Sequence, residues 1–115
     1  MTEKHLFVVL TNAVDGKDDA FNDWYTNRHL ADVVAIPGII SARRFELSEA
    51  QRMTNPPYRY CALYEIETDD LQGVVDELVK RSGTSGMPLS EAMATERLAM
   101  IFKPLGDPLV EMERD

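Results

Sequence analysis

A chain of 115 residues, 44% hydrophobic and 28% charged, is sized for one folded domain with one modest core, and its composition is not that of a disordered segment. A net charge of -8 argues against a nucleic-acid partner and against an anionic membrane surface. The single cysteine, Cys61, excludes an intramolecular disulfide and a multi-cysteine metal site; the first apolar run, Leu6 to Leu10, is too short for a signal peptide or membrane span, so a cytoplasmic protein is expected.

The run His5 to Asn12 is compact and rich in β-formers, which predicts a buried first strand. Asp15-Gly16 signals a turn, and a helix is expected from Asp18 or Asp19 to Ala35, stopped by Ile36-Pro37-Gly38. At 3.6 residues per turn, Phe21, Tyr25, His29, Asp32 and Ile36 fall within an arc of roughly 80°, with Val33 beside them. Gly38 to Ser48 reads as a second strand, with Ile39, Ser41, Arg43, Phe45 and Leu47 on one face and Ile40, Ala42, Arg44 and Glu46 on the other.

A polar loop, Glu49 to Pro57, leads to a third strand, Tyr58 to Glu67, with Tyr58, Tyr60, Ala62, Tyr64 and Ile66 on one face. Thr68-Asp69-Asp70 is an N-cap signal for a second helix over Asp69 to Arg81, whose Leu71, Val74, Val75, Leu78 and Val79 have the spacing of one buried face. Ser82 to Pro88 reads as a flexible loop, Leu89 to Ala94 as a helical turn, and Glu96 to Lys103 as a fourth strand. Residues 104–115 read as an extended tail.

The order β-α-β-β-α-β is the split βαβ, or ferredoxin-like, α+β arrangement in a single domain over residues 1–103. Four antiparallel strands with both helices on one face leave the other face uncovered. That face carries either Tyr58, Tyr60 and Tyr64 or Cys61 and Leu63, depending on register. An apolar sheet face of that size is unusual in a monomer, and pairing two of them removes it, so a homodimer is expected.

The pattern Trp24-Tyr25, His29, Ile36-Pro37-Gly38, Ser41 and Arg43-Arg44-Phe45 resembles the EthD-like group of the dimeric α+β barrel superfamily, most sharply from Phe21 to Leu47. That resemblance implies a sheet dimer with a ligand cavity between each sheet and its helices. It leaves the activity open, because the superfamily includes cofactor-free monooxygenases, polyketide cyclases, lactone isomerases, haem-degrading enzymes and stress-induced proteins. Lys4-His5-Leu6 also looks like the first strand of the stress-responsive barrel proteins and related plant cyclases, which would make His5 a pocket residue.

His29 is the candidate acid/base, since an imidazole titrates near neutral pH. Asp32 would orient it and Tyr25 would donate a hydrogen bond; the plainer alternative is that His29 and Asp32 merely close the helix onto the sheet. Arg43 and Arg44 point to opposite faces, so one of them could hold a substrate carboxylate or enolate, against the more ordinary role of an ion pair. Tyr60 and Tyr64 could line a cavity for an aromatic guest or pack at a dimer seam; Trp24, near the edge of the helix-1 stripe, is a further substrate-binding candidate whose plainer reading is packing. With two histidines on different elements, no metal site and no cofactor are expected. The expected function is therefore a cofactor-independent cyclase, isomerase or lyase acting next to a carbonyl of an aromatic, polyketide-like or lactone substrate. A cofactor-free monooxygenase and a non-catalytic binder of a hydrophobic metabolite are the alternatives.

Overall fold

In a computed structural model, which describes residues 1–112, the chain forms strand β1 (Glu3–Thr11), a helical rod in three consecutive pieces, strands β2 (Ile39–Glu46) and β3 (Tyr60–Thr68), helix α3 (Leu71–Arg81) and strand β4 (Leu98–Phe102). The rod consists of α1 (Asp18–Trp24), a π turn (Tyr25–His29) and α2 (Leu30–Val34). The strands make one antiparallel sheet in the order β2-β3-β1-β4, which is the ferredoxin-like α+β fold on which dimeric α+β barrels are built. Leu89 to Ala94 is not helical. It makes one turn, in which the Met93 amide donates to the Ser90 carbonyl at 3.3 Å, and Met93 then bridges to Ala13. Residues 104–112 continue beyond β4 without regular structure, and the last three residues of the expected tail lie outside the described residues.

Register decides which side chains meet the helices. Phe7 lies opposite Tyr64, Val9 opposite Ala62 and Thr11 opposite Tyr60, so these residues share the helix-facing side. Tyr60, Ala62, Tyr64 and Ile66 are all buried there, which removes the strand-3 tyrosines from any seam between two sheets. Ile39 pairs with Ile66 but Ser41 pairs with Glu65, so Ile40 is an extra residue, a bulge. The bulge breaks the expected alternation: Ile39 joins Ala42 and Arg44 on the helix side, while Ser41, Arg43 and Phe45 face outward. The core forms where Phe21, Tyr25, Val33 and Ile36 of the rod and its C-terminal turn pack on Tyr60, Ala62, Tyr64 and Ile66 of β3.

The outer side of the sheet carries Leu6, Val8 and Leu10 of β1, Cys61 and Leu63 of β3 and the outward residues of β4. Leu98, Met100 and Phe102 are 45, 43 and 50% exposed, so an apolar face lies open in the single chain.

Two local devices hold the helices in place. The Asp70 carboxylate accepts from the Gly73 amide at 3.0 Å and caps α3, while the Thr68 hydroxyl accepts from the Asp70 amide at 3.0 Å. Gly38 follows the rod with φ +100, and a Cβ there would sit 2.9 Å from Val74 Cγ2, so the crossover into β2 runs hard against α3. Gly38→Ala is therefore expected to cost on the order of 1–3 kcal/mol of stability by overpacking and backbone strain, read as a lower denaturation midpoint in urea. An unchanged midpoint would show that α3 can retreat from the crossover without cost.

Candidate functional site

Between the rod, the sheet and α3 lies a cavity of about 460 Å³, a volume suited to a small-molecule guest. Its apolar wall includes Phe7 and Val9 of β1, Val33 of α2, Leu78 of α3 and Met87 and Met93 of the 82–97 segment. Its polar groups come from Tyr25, His29, Tyr64, Ser82 and Arg97, and no carboxylate lines it among the described residues.

The π turn sets this arrangement. One residue added within a helix shifts everything after it by about 100° around the axis. Tyr25 and His29 thus both reach the cavity, and Val33 takes the inward position that uninterrupted α-helical spacing assigns to Asp32. Asp32 instead accepts from Arg28 Nε at 2.8 Å, one turn away, and makes no hydrogen bond to His29 among the described residues. The expected His29–Asp32 dyad is not formed: the π turn that ends at His29 rotates Asp32 away from the sheet, and its carboxylate is taken by Arg28.

His29 is held by rings rather than by a carboxylate. Its imidazole stacks on Trp24, with centroids 4.6 Å apart and planes 26° apart, and stands edge-on to Tyr25 at 4.9 Å and 86°. The Trp24 indole N–H donates to the Pro88 carbonyl at 3.1 Å, which ties this clamp to the loop after α3. His29 Nδ1 is buried with no hydrogen-bond partner among the described residues, so Nε2 is the ring nitrogen left to face a guest. Burial pulls the imidazole pKa from 6.5 down to about 4; Asp32 opposes that shift and Arg97 adds to it. At neutral pH His29 is an uncharged base.

Beside it, the hydroxyls of Tyr25 and Tyr64 lie 3.0 Å apart. One donates to the other, so the pair keeps one phenolic hydrogen uncommitted. Burial raises both pKa values, more for Tyr64, and the pair stays protonated at neutral pH. Arg44 backs this pair from outside the cavity: its guanidinium lies 4.6 Å from the Tyr25 ring centre and donates to Thr26 Oγ1 and Asn22 Oδ1, both at 2.9 Å.

Of the residues singled out from sequence, His29, Tyr25 and Tyr64 line the cavity, while Trp24 and Arg44 support them from behind. Tyr60 does not reach it: its hydroxyl donates to Asp18 Oδ2 at 2.6 Å, joining strand β3 to the start of the rod. Arg43 is on the outer face, over the Phe45 ring at 5.2 Å. His5 sits near the far end of β1, with Nε2 3.8 Å from Glu3 Oε2, and does not line the cavity. Arg97 and Ser82 are the polar cavity residues that sequence reasoning missed, and Arg97 is the charged one. The alternation Arg97, Ala99, Ile101 was available as its signal, but only the pairing of β4 with β1 shows that this set faces inward.

No family model matches the chain, and no curated protein is similar to it in sequence. Solved structures are similar to it in fold. An EthD-like protein from Ralstonia eutropha superposes with a TM-score of 0.63 at 11% identity, covering 90% of this chain and 93% of that one. The heme-degrader MhuD from Mycobacterium tuberculosis gives 0.61 at 15% identity, over 90% of this chain and 98% of that one. SnoaB, a cofactor-independent oxygenase from Streptomyces nogalater, gives 0.59 at 13% identity, over 91% and 96%. The chain shares the fold of these proteins, as the helix-1 pattern led one to expect; at such identities the likeness shows the fold alone.

Because the His29 pKa is lower in the folded chain than in the unfolded one, the unfolded chain binds more protons between pH 6.5 and about 4. The contribution of His29 to stability is therefore complete above pH 6.5 and is lost as pH falls toward 4. His29→Phe, which removes the titration and keeps a ring in the clamp, should flatten the fall in Tm across that window relative to wild type. Identical slopes for the two proteins would show that the imidazole is not held neutral by burial.

Proposed function

We propose that the cavity is the active site of a small enzyme that moves a proton next to a carbonyl in an apolar substrate. The observation that carries this reading is a neutral imidazole clamped between two aromatic rings at a cavity wall, beside a tyrosine pair with one uncommitted hydroxyl hydrogen. Nε2 of His29 would take a proton from carbon or from an enol oxygen. The spare Tyr25–Tyr64 hydroxyl would donate to the carbonyl oxygen as negative charge develops there, in a setting whose low polarity strengthens that bond. An imidazole with a pKa near 4 is a weak base, which restricts it to substrates whose C–H is already activated by a neighbouring carbonyl or aromatic system. Returning the proton at another carbon gives isomerisation, and attack of the enolate carbon on a second carbonyl gives cyclisation.

A second reading, addition of dioxygen to the same enolate, draws support from the apolar wall and from the fold shared with a cofactor-independent oxygenase. Both readings begin with the same deprotonation and give His29 the same role.

We also propose that the working unit is a homodimer joined through the outer sheet faces. Leu98, Met100 and Phe102 form an apolar surface left about half exposed among the described residues, and pairing two such faces about a two-fold axis would bury both. Met100→Asp puts a charge on that face without touching the cavity, and is expected to convert a dimer to a monomer in sedimentation. A monomeric wild type, or a variant that still dimerises, would refute the sheet-to-sheet pairing.

The test of the chemistry starts from a thermal-shift screen of aromatic acids, lactones and polyketide mimics. Hits are then incubated in D₂O and followed by proton NMR. Wild type should exchange the hydrogens next to the carbonyl, and His29→Ala should slow exchange on the order of a hundredfold while retaining weaker binding. The exchange rate should hold level from pH 8 down to about 5 and fall toward pH 4, where the base becomes protonated. Binding with no exchange above that of His29→Ala would leave a metabolite-binding protein and remove the acid/base reading.

A further inference from the structure

In a chain with 20 acidic and 12 basic residues, the cavity wall has the opposite balance: Arg97 is its one formal charge among the described residues, and no aspartate or glutamate lines it. Other arginines near the rod and α3 are engaged. Arg28 pairs with Asp32, Arg81 with Glu77, and Arg44 with Asn22 and Thr26. Arg97 makes no ion pair and no side-chain hydrogen bond among the described residues.

Its position is as informative as its charge. Arg97 directly precedes β4, shares the inward face with Ala99, and is exposed, so it sits at the mouth of the cavity. Tyr25 and Tyr64 are buried at the inner wall. The cavity therefore has a cationic entrance, an apolar middle and a neutral hydrogen-bonding inner end.

We infer that the guest is an amphipathic carboxylic acid, its carboxylate held by Arg97 at the mouth and its apolar body directed toward His29 and the tyrosine pair. A guanidinium offers a fork of N–H donors that matches a carboxylate in two parallel hydrogen bonds. A neutral guest would leave that fork in water and gain nothing from it. A cationic guest would be repelled, with no carboxylate on the wall to offset the repulsion. This deepens the small-molecule reading of the cavity and rests on it, by naming the charge of the ligand and the end at which it sits.

The test uses calorimetry at neutral pH with three probes of one shape, naphthylacetate, naphthylacetamide and naphthylethylamine, against wild type, Arg97→Met and Arg97→Lys. Wild type should bind the acid at least about tenfold more tightly than the amide, the gain of a charge-assisted hydrogen bond, and the amine most weakly. Arg97→Met should erase the preference while leaving amide affinity unchanged, which also shows that the variant cavity is intact. Arg97→Lys should keep part of it. Equal affinity for acid and amide in wild type, a preference for the amine, or a preference that survives in Arg97→Met would overturn the inference and leave the cavity reading in place. Failure of all three probes to bind wild type would remove the cavity reading and this inference with it.

Discussion

One added residue in the turn Tyr25–His29 sets the phase of what the helical rod presents to the sheet. Before it, Phe21 packs into the core; after it, Val33 and Ile36 do the same, and between them Tyr25 and His29 are aimed into a cavity. A regular α-helix would carry Asp32 inward in place of Val33, and a carboxylate buried there would need a partner or a strongly raised pKa. The π turn avoids this by rotating Asp32 out to Arg28. His29 Nδ1 is buried with no hydrogen-bond partner among the described residues. A π turn inserted in an α-helix is a common mark of a functional position.

The electrostatics of the site follow from that geometry. Burial between Trp24 and Tyr25 keeps the imidazole uncharged, and burial of the tyrosine pair keeps both hydroxyls protonated. The inner end of the cavity is thus neutral over the physiological range, with donors and acceptors but no charge. Charge acts from the periphery: Asp32 pairs with Arg28 beside His29, Arg44 stacks behind the Tyr25 ring, and Arg97 stands at the mouth. None of these positions needs the cavity interior to solvate an ion.

The sheet divides the molecule's two tasks. Its helix side builds the core and the cavity, and its outer side is apolar and open. The bulge at Ile40 matters to both, because it brings Arg44 under the rod while turning Arg43 and Phe45 outward. Placing the tyrosines of β3 on the helix side makes Tyr64 part of the site, and it leaves Cys61 and Leu63 for the outer face.

The order of elements, the ferredoxin-like fold, the stop at Ile36-Pro37-Gly38 and the alternation along β3 were legible in the sequence, because hydrophobic periodicity and turn chemistry are local properties. So was the pairing of Tyr25 with His29 on one side of the rod, since residues four apart stay neighbours in either helical geometry. The phase of Asp32 was not legible: nothing in the string of residues marks where a helix takes in an extra one. Nor was the face of Ile39 or the inward aim of Arg97, which depend on a bulge in one strand and on the pairing of another. Helical register, strand register and the convergence of five elements on one cavity are settled by packing between distant segments, and that information exists only once the chain has folded.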